Sequence, residues 1–226
     1  MAASTSTSAP EAAPSGSEKR PRQPHRPNYF LAIRITSPVI HRWVDDIQDA
    51  ICERDPRLEE SCTCLDTLHI TLCTMRLEND DDISKATDAF ESLREEISSL
   101  LSPTTKLRFQ RLGQFPHSNR ILFAAPEPSP TLMELFQLLK TRLGEAGVNL
   151  AGTRDKFFPH MTIFKLDVEE TPWNKPTIHP RLYGDFADSI IGVQRIDAIH
   201  LCSMDDPPQD DGFYHCLASM DVHQKQ

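Results

Sequence analysis

Two short stretches carry residues suited to acid–base chemistry: His69-Ile70-Thr71-Leu72 and His160-Met161-Thr162-Ile163. Each reads His, apolar, Thr, apolar inside a run with strand character. Side chains two positions apart on a strand share a face. Each stretch therefore sets one imidazole beside one hydroxyl and turns its apolar residues the other way. If the two strands are neighbours, all four polar groups meet in one cleft. Imidazole titrates near neutral pH, so one ring can accept a proton while the other gives one. The hydroxyls suit the oxygens of a phosphate. A single His-x-Thr triplet carries little weight, since chance supplies roughly 0.6 of them in a chain like this. Two of them, each on a strand and in corresponding places of two halves, carry much more.

The elements that must position these groups follow from apolar spacing. Residues 1–27 are rich in Ala, Ser, Thr and Pro and cannot bury enough apolar surface to offset the entropy of ordering, so they read as a disordered tail. The folded domain is expected over 28–222, with a short tail at 223–226. A strand from Tyr29 to Ile35 puts Leu31, Ile33 and Ile35 on one face and Phe30, Ala32 and Arg34 on the other. Ser37-Pro38 opens a helix as N-cap and first helical residue, and Asp55-Pro56 closes it. The first motif strand runs from Leu68 to Leu77. Asp80, Asp81 and Asp82 start a second helix, which reaches Leu100. Strands are expected at Lys106–Phe115 and Arg120–Ala125, then a helix from Ser129-Pro130 to Leu143. The second motif strand ends at Leu166. Residues 167–190 read as irregular, with a short helix at Pro180–Phe186. A hairpin of Arg195–Met204 and Phe213–Val222 closes the chain. In an unbroken strand, Lys165 faces away from His160. The order implies a duplicated α+β architecture: two pseudo-symmetric lobes of antiparallel-rich sheet, helices outside, the cleft between them.

Composition limits the partners. The chain has 226 residues with 24 basic and 33 acidic side chains, a net charge of -9. That balance opposes binding along an extended nucleic acid and leaves room for a pocket taking one nucleotide or a short oligomer. No secretory signal and no membrane-spanning apolar run is present, so no membrane partner is expected. Six cysteines, Cys52, Cys62, Cys64, Cys73, Cys202 and Cys216, then read as free thiols in a reducing compartment. The expected location is the cytoplasm; Lys19-Arg20-Pro21-Arg22 adds the nucleus as a second. Cys62-Thr63-Cys64 lacks the second ligand cluster of a zinc site. No metal and no cofactor is expected.

Beyond the two motifs, Asn28-Tyr29-Phe30-Leu31, Phe157 to Thr162 with Lys165-Leu166, Ile196-Asp197, Leu201 to Met204 and Tyr214-His215-Cys216 carry a resemblance. Over about residues 28–222 the chain resembles the two-histidine (2H) phosphoesterase superfamily. Within it, the match is to the branch of the central domain of A-kinase anchoring protein 7 and of leukocyte receptor cluster member 9. The resemblance implies a metal-independent phosphodiesterase acting on 2′,5′-oligoadenylate or 2′,3′-cyclic phosphates. His69 and His160 would be the acid–base pair, and Thr71 and Thr162 the phosphate holders. Which histidine is acid and which base stays open. Phe157, Phe158, Tyr29 and Tyr214 could stack on a base, although each is more simply core. His200 and His215 read as structural. The chain ends a few residues after its last strand, so binding of a kinase regulatory subunit is not expected. The alternatives are a non-catalytic nucleotide (AMP)-binding module and an interaction scaffold.

Overall fold

The computed structural model describes residues 26–116, 118–166 and 177–222. Most of the tail assigned to 1–27, with its basic cluster, lies outside these, as do residues 167–176 and the end from 223 to 226. In chain order the elements are β1 (Tyr29–Arg34), α1 (Pro38–Arg54), β2 (His69–Met75), α2 (Asp80–Ser92), α3 (Arg94–Leu100), β3 (Lys106–Phe115), β4 (Ser118–Pro126), α4 (Pro130–Glu145), β5 (Met161–Lys165), β6 (Ile190–Arg195), β7 (Ala198–Ser203) and β8 (Cys216–Asp221).

The strands form one antiparallel sheet in the order β6-β3-β4-β5-β2-β1-β7-β8. It divides into two equivalent halves, β2-β1-β7-β8 and β5-β4-β3-β6, each with its motif strand innermost. The halves meet through a single residue pair, Ile70 with Met161. This is the expected two-lobed α+β fold, with both lobes belonging to one sheet.

The helices cross that junction. α1 follows β1 in sequence but packs on β5 and β6, whereas α4 follows β4 and packs on β2. Together they cover one sheet face, where Leu31, Ile33, Ile70, Ile163 and Phe164 join Ile40, Ile47, Phe90, Leu135 and Phe136 in the main core. The other face carries a small separate cluster of Phe30, Ala32, Cys202 and Phe213. All six cysteines are free thiols.

Two buried glutamines fasten α1 to the opposite half. Gln194 of β6 accepts hydrogen bonds from the backbone N–H of Thr36 and Ser37, at 2.8 and 2.9 Å. It thereby ties down the backbone just ahead of α1, although it does not make the capping bond expected of the Ser37 hydroxyl. Ser37 is indeed the N-cap residue, but its side chain makes no capping bond. Gln48 donates to the carbonyls of Thr63 and Ile163, both at 2.9 Å. At the other helix starts the expectation holds: Ser129 accepts from the Leu132 N–H, and the three aspartates 80–82 fill the first turn of α2 behind Asn79.

Three features differ from the sequence reading. β6 is an eighth strand, lying between the stretch read as irregular up to residue 190 and the hairpin expected from Arg195. Its Gly192, a residue that ordinarily weakens strand propensity, sits where α1 presses closest: a Cβ there would lie 2.8 Å from Ile40. The helix after Asp80 breaks at Leu93 into α2 and α3. The segment between α1 and β2, for which the sequence predicts no element, forms two short 3₁₀ turns, Pro56–Ser61 and Leu65–Thr67.

Replacing Gln48 with Leu removes its hydrogen bonds to the Thr63 and Ile163 carbonyls and is expected to cost about 1–3 kcal/mol of stability. Urea unfolding checks this; an unchanged midpoint and slope would contradict it.

Candidate functional site

The register at the junction fixes the arrangement of the two motifs. With Ile70 opposite Met161, continuing the antiparallel count sets His69 across from Thr162 and Thr71 across from His160. Each histidine thus faces the other motif's threonine, and the imidazoles lie on a diagonal. In an antiparallel pair such diagonal Cβ atoms stand about 7–8 Å apart, within reach of long side chains. The charge of His160 is felt at His69.

Local carbonyls set both tautomers in the same way. His69 Nδ1 lies 2.7 Å from the Thr67 carbonyl, and His160 Nδ1 lies 2.9 Å from the Phe158 carbonyl. A carbonyl only accepts, so Nδ1 carries the hydrogen in both rings and Nε2 is the free basic nitrogen. His69 Nε2 accepts from the Thr71 hydroxyl at 3.1 Å. Among the described residues, His160 Nε2 and the Thr162 hydroxyl have no such partner.

The two imidazoles differ in surroundings. Burial pushes the His69 pKa down to about 4, assisted by the charges of His160 and Lys165 and opposed by the Thr67 carbonyl. His69 lies between Phe30, at 5.0 Å, and Tyr214, edge-on at 5.3 Å. Burial also lowers the His160 pKa, with Arg154 acting in the same direction and the Phe158 carbonyl opposing it. His160 is flanked by Phe115 at 5.0 Å and Phe123 at 5.4 Å.

Lys165 corrects the sequence reading. Strict alternation turns it away, but the β4–β5 register slips between Leu122 and Phe123. Thr162 pairs with Phe123 and Phe164 with Leu122, so Ile163 is an extra residue, and both Ile163 and Phe164 enter the core. Beyond this β-bulge the phase reverses, and Lys165, opposite Ile121, returns to the face of the histidines. β2 has the same defect: Leu72 is extra between Thr71 and Cys73, and both Leu72 and Cys73 are buried. Thr74 thereby returns to the site face as the counterpart of Lys165. Two consecutive apolar residues after each His-x-Thr were the signal in the sequence.

A cavity of about 590 Å³ opens beside His160 and Thr71 and is bounded by Phe115, Phe158, Arg154 and Lys156, among others. The four proposed stacking residues separate here. Phe158 lines the cavity and is 48 % exposed, with ring contacts to Phe115, Phe123 and His160. Phe157 also lines the cavity, but one face is stacked on Phe136 at 4.4 Å. Tyr214 sits on the His69 side, edge-on to Phe30 at 4.9 Å. Tyr29 is a correction: alternation along β1 aligns it with Leu31 and Ile33, and it packs against the main core under the helices. Phe115 and Arg154 were missed because pairing of β3 with β4 and a loop ahead of β5 bring them in, and neither obeys a local spacing rule. His200, read as structural, bonds the Ser219 hydroxyl at 2.8 Å on the outer strands.

Among the described residues, no group of three or more His, Cys, Asp or Glu side chains could hold a metal ion. No helix there is long and apolar enough to cross a membrane.

Comparison with known proteins agrees with this fold. Human A-kinase anchor protein 7 isoform gamma is 33% identical over 215 residues, covering 92% of this chain and 60% of that protein. The chain thus spans about three fifths of the length of that relative. Among solved structures, the protein TT0787 of Thermus thermophilus superposes with a TM-score of 0.54 at 16% identity, covering 88% of this chain and all of that one. Escherichia coli LigT complexed with 3′-AMP gives 0.51 at 16% identity, covering 88% and 98%. At that identity the likeness speaks for the fold. The model of the AKAP7 2′,5′ RNA ligase-like domain matches residues 27–222, and the chain belongs to that family, with the LigT-type 2H phosphoesterase fold.

Proposed function

We propose that the protein is a metal-independent phosphodiesterase that cleaves ribose phosphodiesters, namely 2′,5′-linked oligoadenylate or 2′,3′-cyclic phosphates, with His69 as base and His160 as acid. One observation carries the reading: on adjacent strands, two imidazoles with matching tautomers each stand opposite the other motif's threonine. Family membership supports phosphoesterase chemistry, and the complex of LigT with 3′-AMP supports a ribonucleotide as the ligand.

In a 2′,5′ linkage, the neighbouring 3′-hydroxyl attacks phosphorus. Thr71 passes its hydrogen bond from His69 Nε2 to a nonbridging oxygen, which frees the nitrogen's lone pair. His69 Nε2 takes the hydroxyl proton as the new P–O bond forms. The bond from phosphorus to the 5′-oxygen breaks, and His160 Nε2–H protonates that oxygen. The products are a cyclic phosphate and a 5′-hydroxyl. With a cyclic phosphate as substrate, water replaces the attacking hydroxyl. Thr162 and Lys165 meet the charge that builds on the nonbridging oxygens, where a preorganised donor is worth roughly 3 kcal/mol. The lower pKa of His69 keeps it neutral and ready to accept. The Nδ1–carbonyl bonds hold both rings in place and favour the imidazolium of each step.

Incubation with 2′,5′-linked triadenylate, 3′,5′-linked triadenylate and a 2′,3′-cyclic nucleotide in EDTA tests the reading. Cleavage of the first or third is expected, and His69→Ala or His160→Ala should each reduce it about 10²–10⁴-fold. Binding without cleavage in the parent would sink the catalytic reading in favour of a nucleotide sensor. The pH profile gives a second test. kcat/KM reports the free protein, so it should rise through about pH 4 as His69 deprotonates. It should fall again as pH rises through the His160 pKa, which burial holds below the ordinary imidazole value. A maximum above pH 7 would contradict this. Finally, Lys165→Met should raise the His69 pKa, read by NMR titration; no shift would place the ammonium away from the site.

A further inference from the structure

The cavity beside His160 is larger than one phosphate needs, and its charge is opposite in sign to that of the whole chain. The protein carries a net charge of -9, yet the cavity wall contains Arg154 and Lys156 and no carboxylate. Neither cation pairs with an acid among the described residues. The acid between them, Asp155, is drawn off to Lys140 at 2.8 Å. The Arg154 charge reaches His160, so this wall and the catalytic groove are electrostatically continuous.

The loop that carries these cations is clamped to the motif strand. Thr74, the residue that the bulge in β2 returns to this face, donates its N–H to the Thr153 hydroxyl at 2.9 Å. That hydroxyl donates back to the Thr74 carbonyl at 2.7 Å. The Thr74 hydroxyl in turn donates to the Ala151 carbonyl at 2.9 Å. Gly152 sits between them with φ +81°, and a Cβ there would come within 2.9 Å of Thr74 Oγ1. The loop therefore presents Arg154 and Lys156 at a fixed place relative to the groove.

We propose that Arg154 and Lys156 form a second anion subsite, which takes the phosphates one nucleoside beyond the scissile phosphate. This inference rests on the phosphodiesterase reading and gives it a substrate class: oligoribonucleotides bearing additional phosphate, such as a 5′-phosphorylated end, over nucleoside-terminated ones. The intervening nucleoside lies along the cavity, beside the half-exposed Phe158. Low-dielectric walls lined by one sign of charge concentrate a polyanion, and salt weakens the effect.

Binding separates this from the proposed reaction. The probes are phosphorothioate-linked 2′,5′-triadenylate with a 5′-triphosphate and the same oligomer with a 5′-hydroxyl, titrated by calorimetry. The full-length protein should bind the phosphorylated probe roughly tenfold more tightly or better, about 1.4 kcal/mol. In Arg154→Ala/Lys156→Ala the two affinities should converge. Both side chains are exposed, so the fold should tolerate the change, and Lys85→Glu on α2, which shifts the net charge equally, serves as the control by keeping the preference. Equal affinities in the parent, a preference that survives in the double variant, or no binding of either probe would overturn the subsite. Cleavage of unmodified triadenylate is assayed alongside. Preference without cleavage would overturn the reaction and keep the subsite; cleavage without preference would do the reverse.

Discussion

The structure depends on a sheet that is nearly severed at its middle. β2 and β5 share one residue pair, so the backbone ladder alone holds the two halves weakly. What holds them is the crossing of the helices, with α1 on β5 and β6 and α4 on β2. Two buried glutamines secure α1 to the far half. Apolar burial on the helix side thus permits a short junction on the other side, where polar groups from both motif strands face one another. A continuous ladder there would be easy to build but would give no reason for the innermost strands to carry polar residues.

A second device repeats in both halves. Directly after each His-x-Thr, one extra residue enters the strand, so two consecutive apolar side chains reach the core and the next residue returns to the groove. The Gln48 amide and the Thr63 N–H both bond the Ile163 carbonyl at the bulge in β5. The outcome differs between halves because the returned residues differ. Lys165 places a cation where His69 feels it, whereas Thr74 fastens the loop that carries Arg154. Duplication thus supplies two equivalent imidazoles, and burial first, with Lys165 adding a smaller part, makes them unequal. In the proposed reaction that inequality separates base from acid.

The motif itself was legible in the sequence, because strand alternation fixes which face His69 and Thr71 share whatever the tertiary context. Helix starts with proline or acidic first turns were legible for the same local reason. Lys165 was not, since a bulge inverts the parity on which the reading relied. β6 was not, because Gly192 reads as a breaker when the true requirement is room for Ile40 of α1. Tyr29 looked free to stack only while the buried side of β1 was unassigned. Phe115 and Arg154 belong to elements far apart in the chain, and only the sheet order brings them to His160.

The central claim is that His69 and His160 act on one and the same phosphate. Nitrogen NMR of both imidazoles during titration with 3′-AMP tests it most directly. If a single phosphate dianion lies between the rings, the Nε2 signals of both histidines shift along one binding curve, and both pKa values rise at saturation. Response of only one ring, or two curves with different midpoints, would mean that the imidazoles do not share a phosphate.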